Sequence, residues 1–306
     1  MPKLFVLHKD NIPLALEEIR SVCGDARQVG DFALSDGGGD ISVLAFTRAA
    51  FEVIRETADL EASLREIDWP RFVHGSFAVR VIPKGSSGLE KQIAKAIFHS
   101  IKDPKVDLDA PDSEIAVFVI GSRFFITRKL MDLDQGFEER KAHLRKSLKP
   151  ISLHPKIARA MVNLTGSREG PIFDPCVGTG GILIEAVLTG REAFGADIDP
   201  EMARIAKDEV KQAMIFYADC LTFEGDYPFV VTDLPYAKNT KAIDLDGFFD
   251  AFLPRLRVWK TKVAILGFPD FIDTYSLLEK HSLKAHSSFD IYIHKSLSKR
   301  IIKILL

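Results

Sequence analysis

Cysteine is scarce in this sequence of 306 residues, which has three, at positions 23, 176 and 220. An odd number so widely separated argues against a disulfide framework, and no CxxC pair marks a metal site. A reducing cytoplasm fits this usage. The eight histidines show no zinc-ligand spacing, since His281 and His286 have no Cys or acidic partner arranged around them. Metal catalysis is therefore not expected. Neither sign of charge is in excess, with 41 basic and 43 acidic residues giving a net charge of -2. Any binding to nucleic acid must then come from a local patch and not from the global field. Long hydrophobic runs are missing too: nothing approaches the ~18 apolar residues of a membrane span. The start, MPKLFVLHKD, has too short an apolar run for a secretory signal.

What is there is the composition of a folded chain, 46% hydrophobic and 27% charged, long enough for two domains. The first half reads as α+β. The run 12–24 is an amphipathic helix, 41–47 reads as a strand, 77–83 alternates with period two, and 114–130 reads as a hairpin about Gly121-Ser122. Ser87 followed by Glu90 predicts a capping box opening a helix to about 101. Between 129 and 150 the chain becomes rich in charge and poor in strand formers, marking a linker. From 151 strands and helices alternate, as in a doubly wound parallel sheet, with two final strands and no helix between them, a terminal antiparallel hairpin.

The sharpest feature is the segment Asp174-Pro175-Cys176-Val177-Gly178-Thr179-Gly180-Gly181, between an apolar strand and an apolar helix. Glycines there let the backbone turn tightly and approach a ligand closely. The loop lacks the G-x-G-x-x-G fingerprint, and Asp174 just before it would repel a pyrophosphate. A cationic ligand fits better, and S-adenosylmethionine, with its ammonium and sulfonium, is the expected cofactor. Asp197 ends the next strand, about 20 residues on, where an acid receives ribose hydroxyls, with Ile198 beside it. Asp199 reads as the N-cap of a helix that Pro200 opens. Asp219 ends the third strand, placed either to accept from the adenine amino group or to cap a turn. Cys176 and Cys220 neighbour these positions and join the candidate cofactor set with Gly178, Thr179 and Gly180, although both thiols read as small, buried and inert.

The fourth strand ends in Asp233-Leu234-Pro235-Tyr236, the candidate catalytic tetrapeptide. It resembles the D/N-P-P-Y/F/W motif of methyltransferases that act on exocyclic amino groups of bases, with Leu in place of the first Pro. A carboxylate and a backbone carbonyl can accept the two N–H groups of such an amine and help remove its proton, while Tyr236 stacks on the base. The base must be unpaired or flipped to arrive.

With these residues the chain resembles the archaeal-type tRNA guanine-10 N2-methyltransferases. The first half is similar to a THUMP domain behind a small ferredoxin-like domain, through FAVRV, EKQIAKAI and VDLDAPDSEIAVFVI. The segments PISLHPKIARAMVNLTG and FDPCVGTGGILIEA carry the resemblance onward. It implies a Rossmann-like class I methyltransferase domain at 151–306, a linker at 129–150, a THUMP domain at 66–128 and a ferredoxin-like domain at 1–65. It further implies addition of one or two methyls to a guanine N2 in tRNA. Arg140, Lys141, Arg145 and Lys146 are candidate phosphate contacts, and the resemblance adds Lys84. A monomer is expected. Ala237, where a Gly is usual, departs from the family pattern. The residues alone leave open another tRNA or rRNA guanine, an adenine N6 target, or a non-catalytic RNA-binding protein.

Overall fold

The computed structural model describes residues 1–83, 87–141, 144, 153–166, 169–235, 244–294 and 297–306. The chain divides into two compact units, one of Met1–Ile12, Cys23–Ile41 and Thr47–Leu133, the other of Pro13–Val22, Ser42–Phe46 and Asp134–Leu306.

In the first unit eight strands form one sheet: β1 (Lys3–Leu7), β2 (Arg27–Val29), β3 (Phe32–Ser35), β4 (Thr47–Thr57), β5 (Ser76–Ile82), β6 (Lys105–Val106), β7 (Ser113–Ile120) and β8 (Arg123–Asp132). Their order is β2-β3-β1-β4-β8-β7-β5-β6. The β7–β8 hairpin pairs Ile120 with Arg123 across Gly121, whose φ of 59° favours a residue without Cβ. Helices α2 (Leu60–Glu66) and α3 (Ser87–Ser100) contribute Leu64, Ile93 and Ile97 to a core with Trp69, Val79 and Val117. The Ser87 side chain of the expected capping box lies outside the described residues, while Glu90 reaches the neighbouring strand. Its Oε1 accepts from the Val81 N–H at 3.0 Å, tying α3 to β5.

Of the run 41–47 only Thr47 lies in a strand, as the first residue of β4. Ile41–Val43 form a 3-10 turn, and beyond Leu44 the N–H groups of Ala45 and Phe46 donate to the buried Glu18 carboxylate at 2.8 and 2.9 Å. Glu18 lies on α1 (Ile12–Cys23) and also accepts from Asn163 Nδ2 at 2.7 Å. A side chain thus takes the place of a neighbouring strand.

The second unit alternates as the sequence predicts. Its elements are α4 (Pro155–Asn163), β9 (Ile172–Asp174), α5 (Gly181–Leu188), β10 (Ala193–Asp197), α6 (Pro200–Glu209), β11 (Met214–Tyr217), β12 (Phe229–Asp233), α7 (Leu245–Phe252), α8 (Arg255–Val258), β13 (Val263–Pro269), α9 (Thr274–Lys280), β14 (Ala285–His294) and β15 (Leu297–Leu305). The sheet order is β11-β10-β9-β12-β13-β15-β14, with β15 antiparallel to both of its neighbours. The reversal of strand order falls between β9 and β12, where ligands gather in open α/β sheets. One expected helix is two, α7 and α8, divided at Pro254. Helix α9 was not anticipated; Asp273 caps it by accepting from Ser276 N.

Candidate active site

Adjacent strands β10, β9 and β12 each end in an aspartate, at 197, 174 and 233. The structure therefore gathers three carboxylates along one sheet edge. Asp174 is 2% exposed; its Oδ1 accepts from Thr232 Oγ1 at 2.7 Å and from Cys176 N at 3.2 Å. Burial raises its carboxyl to about 7, Asp233 and Asp197 adding to the rise against these hydrogen bonds. Asp197 is also pushed up by burial, opposed by backbone N–H groups. Its Oδ2 accepts from Gly178 N at 2.8 Å and its Oδ1 from Asp199 N at 2.9 Å, so the acid holds the glycine loop in shape. Asp199 caps α6 through Glu201 N.

The glycines differ in role. Gly178 has φ 51° and nothing within 4 Å of where a Cβ would stand, so space lies open above the loop. At Gly180, φ is 83° and a Cβ would come within 2.7 Å of Val210 Cγ2, so α5 can start there only without a side chain. Thr179 is buried and Ile198 is 66% exposed, an apolar surface beside Asp197. Asp219 closes a turn, its Oδ1 accepting from Leu221 N at 2.8 Å. The Cys176 thiol hydrogen-bonds with the Cys220 thiol, and this contact with burial pushes its pKa well up, which keeps it neutral and unreactive.

Asp233 carries the basic partner of the site. Lys299 on β15 donates to its Oδ2, while its Oδ1 is buried with no partner among the described residues. Burial pushes the Asp233 carboxyl up and Lys299 pulls it down. The sequence reading missed Lys299, because a lysine in an alternating terminal strand reads as solvated. Leu234 is 1% exposed, and its N–H donates to Gly267 O at 3.0 Å. A proline there could not make that bond. Tyr236 and Ala237 lie outside the described residues; Pro235 lies within them.

The basic positions are less uniform. Arg140 does not stand ready for phosphate: its Nε and Nη2 donate to Glu185 at 2.9 and 3.2 Å, and Glu185 is fully buried and also paired with Arg159 at 2.8 Å. A buried carboxylate needs this compensation, so Arg140 anchors its own segment. Lys141 pairs with Glu138. Lys84, Arg145 and Lys146 lie outside the described residues.

The donor set fits a cationic nucleoside. Three carboxylates at adjacent strand ends, two of them raised by burial and short of positive charge, would be stabilised by an ammonium and a sulfonium, and the opening over Gly178 admits the ligand body. Among the described residues no group of His, Cys, Asp and Glu forms a metal cluster, and no helix is long and apolar enough to cross a membrane.

Known proteins fit this geometry. Residues 142–299 match the RMKL-like methyltransferase domain and residues 55–128 the THUMP domain. A protein of Methanothermobacter thermautotrophicus named tRNA (guanine(10)-N2)-dimethyltransferase is 28% identical, covering 100% of this chain and 99% of its own. One of the same name from Pyrococcus abyssi is 33% identical over 80% of this chain and 78% of its own. The crystal structure of TrmN from Thermus thermophilus shares the fold, with a TM-score of 0.50 at 19% identity, covering 100% of this chain and 99% of that one. The chain belongs to the RMKL-like methyltransferase family, with a THUMP domain ahead of its methyltransferase domain.

Proposed function

We propose that this protein methylates the exocyclic N2 amino group of a guanine in tRNA, at position 10, using S-adenosylmethionine. The single observation that carries the reading is Asp233: a carboxylate at the switch point of the sheet, one oxygen held by Lys299 and the other buried without a partner among the described residues. Such an oxygen is suited to accept one amino N–H, and the Leu234 carbonyl the other. The guanine amine is a poor nucleophile because its lone pair is delocalised into the ring. Holding both N–H groups orients it and gives its proton a destination, Asp233. The cofactor supplies an electrophilic methyl on sulfur, which leaves as a neutral thioether. Asp174 is assigned to the ammonium of the cofactor, Asp197 to the ribose and Asp219 to the adenine edge, with Gly178, Thr179, Gly180 and Ile198 lining the site. Tyr236 is assigned to stacking on the flipped base.

The names borne by the relatives from Methanothermobacter and Pyrococcus support this substrate, and the matched THUMP domain supports tRNA as the partner. Residues 1–128 are proposed to bind it, as ferredoxin-like and THUMP domains at 1–65 and 66–128, with Lys84, Lys141, Arg145 and Lys146 as phosphate contacts and a monomer as the acting form in the cytoplasm. The test is incubation with radiolabelled S-adenosylmethionine and unmodified tRNA, followed by nucleoside digestion. Labelled N2-methyl- or N2,N2-dimethylguanosine is expected. Labelled N6-methyladenosine would replace the proposed substrate, and an unlabelled tRNA would overturn the reading.

A further inference from the structure

Asp233 and Lys299 are 66 residues apart in sequence, and in the sheet a whole strand lies between them, since β13 separates β12 from β15. Two strand spacings amount to about 10 Å, which an aspartate and a lysine span only if nothing projects between them. The register shows how this is arranged. Asp233 lies beside Gly267 on β13, and Gly267 beside Ile301 on β15. Lys299 shares a face with Ile301 because alternate residues of a strand point the same way. The residue in the gap is thus a glycine, and a Cβ on it would come within 2.8 Å of Asp233 Oδ1. Lys299 is 4% exposed and the Asp233 side chain 17%, so the pair is largely shielded from water and its attraction is only weakly screened. The remaining ends of the chain's alternation, Arg300, Ile302 and Ile304, turn to the other face, where Ile302 and Ile304 join the hydrophobic core.

We propose that Lys299 is a positioning residue for methyl transfer: it holds Oδ2 of Asp233 across Gly267, so that Oδ1 alone meets the substrate amine. The inference rests on the role proposed for Asp233. Charged groups around Asp233 among the described residues come from two sides. Lys299 faces it from β15, and Asp174, bonded to Thr232, faces it from β9 with Asp197 beyond. Burial favours the protonated form, which cannot take a proton from the amine, and the lysine opposes it. Without the ammonium, Asp233 would hold a proton at higher pH and its side chain would be free to rotate.

The test replaces Lys299→Met, which keeps the stem and removes the charge, and Lys299→Arg, which keeps the charge. In the protein without cofactor, labelled with 13C-aspartate and with the signal assigned by Asp233→Asn, the Asp233 carboxyl should titrate at least about one pH unit higher in Lys299→Met. Lys299→Arg should return it toward the wild-type midpoint. The acid limb of kcat should move up with it, kcat near neutrality falling about tenfold or more while KM for S-adenosylmethionine stays within about twofold. A folded Lys299→Met with unchanged Asp233 titration, or a loss of kcat with an unmoved pH profile, would overturn the proposal. If Lys299→Met does not fold, Lys299→Gln against Lys299→Arg asks the same question. Failure of the wild-type protein to methylate tRNA would sink the proposed reaction, yet the titration would still decide whether Lys299 governs Asp233.

Discussion

Glu18 and Asp174 are both fully buried carboxylates, and the protein surrounds them differently. Glu18 receives N–H groups from Ala45, Phe46 and Asn163 with the Arg159 charge nearby. Asp174 receives one hydroxyl and one N–H, and the charges around it are acidic. Its carboxyl is raised from 3.8 to about 7, so between those values the folded state holds a proton that the unfolded state has lost. The stability that Asp174 contributes falls as pH rises through that window. Asp174→Asn should flatten the fall and raise the melting temperature of the ligand-free protein at pH 8 by a few degrees. The same variant should lose cofactor affinity in calorimetry, because the carboxylate proposed to hold the cation is gone. Asp233→Ala and Asp197→Ala separate the two proposed roles. The first should abolish methyl transfer while cofactor binding stays near wild type; the second should weaken cofactor binding. Turnover of Asp233→Ala at the wild-type rate, or unchanged affinity in Asp197→Ala, would remove the respective assignment.

At the scale of elements, Leu234 joins the end of β12 to β13 through its N–H on Gly267 O. Leu234→Pro would recreate the more familiar motif, yet it should lower stability by about 2 kcal/mol, since a buried carbonyl loses its donor; denaturant unfolding measures it. The α4–α5 pair is held by Glu185 between Arg159 and Arg140. Glu185→Ala should cost about 3–5 kcal/mol by leaving two cations short of their anion, read by the same titration. The alternating elements of the second unit were legible because burial on both faces writes apolar runs and Gly-rich turns into the sequence. Asp174, Asp197 and Asp233 were legible as strand-end acids in the right order. Local pattern could not show α9, a helix of seven residues, nor that the apolar run 41–47 would bond to a glutamate on α1. Lys299 was hidden for a related reason: its partner is chosen by sheet order, which no local window contains.

At the scale of the whole molecule, a net charge of -2 leaves no general attraction for RNA, so binding has to come from clustered cations. Raising salt from 50 to 200 mM should then weaken tRNA binding at least about tenfold, while cofactor affinity changes little; filter binding and calorimetry on the same sample compare them. The unit that carries the candidate active site also takes in Pro13–Val22 and Ser42–Phe46. Lys303 on β15 donates to Glu17 Oε1 at 3.0 Å and to Ser21 Oγ at 2.9 Å, 286 and 282 residues away. On a ribosome adding about 5–20 residues per second, those partners emerge roughly 15–60 s apart. Glu17 and Ser21 on α1 must therefore wait that long for Lys303, so the bonds that fasten this helix to β15 close long after the helix itself has been made.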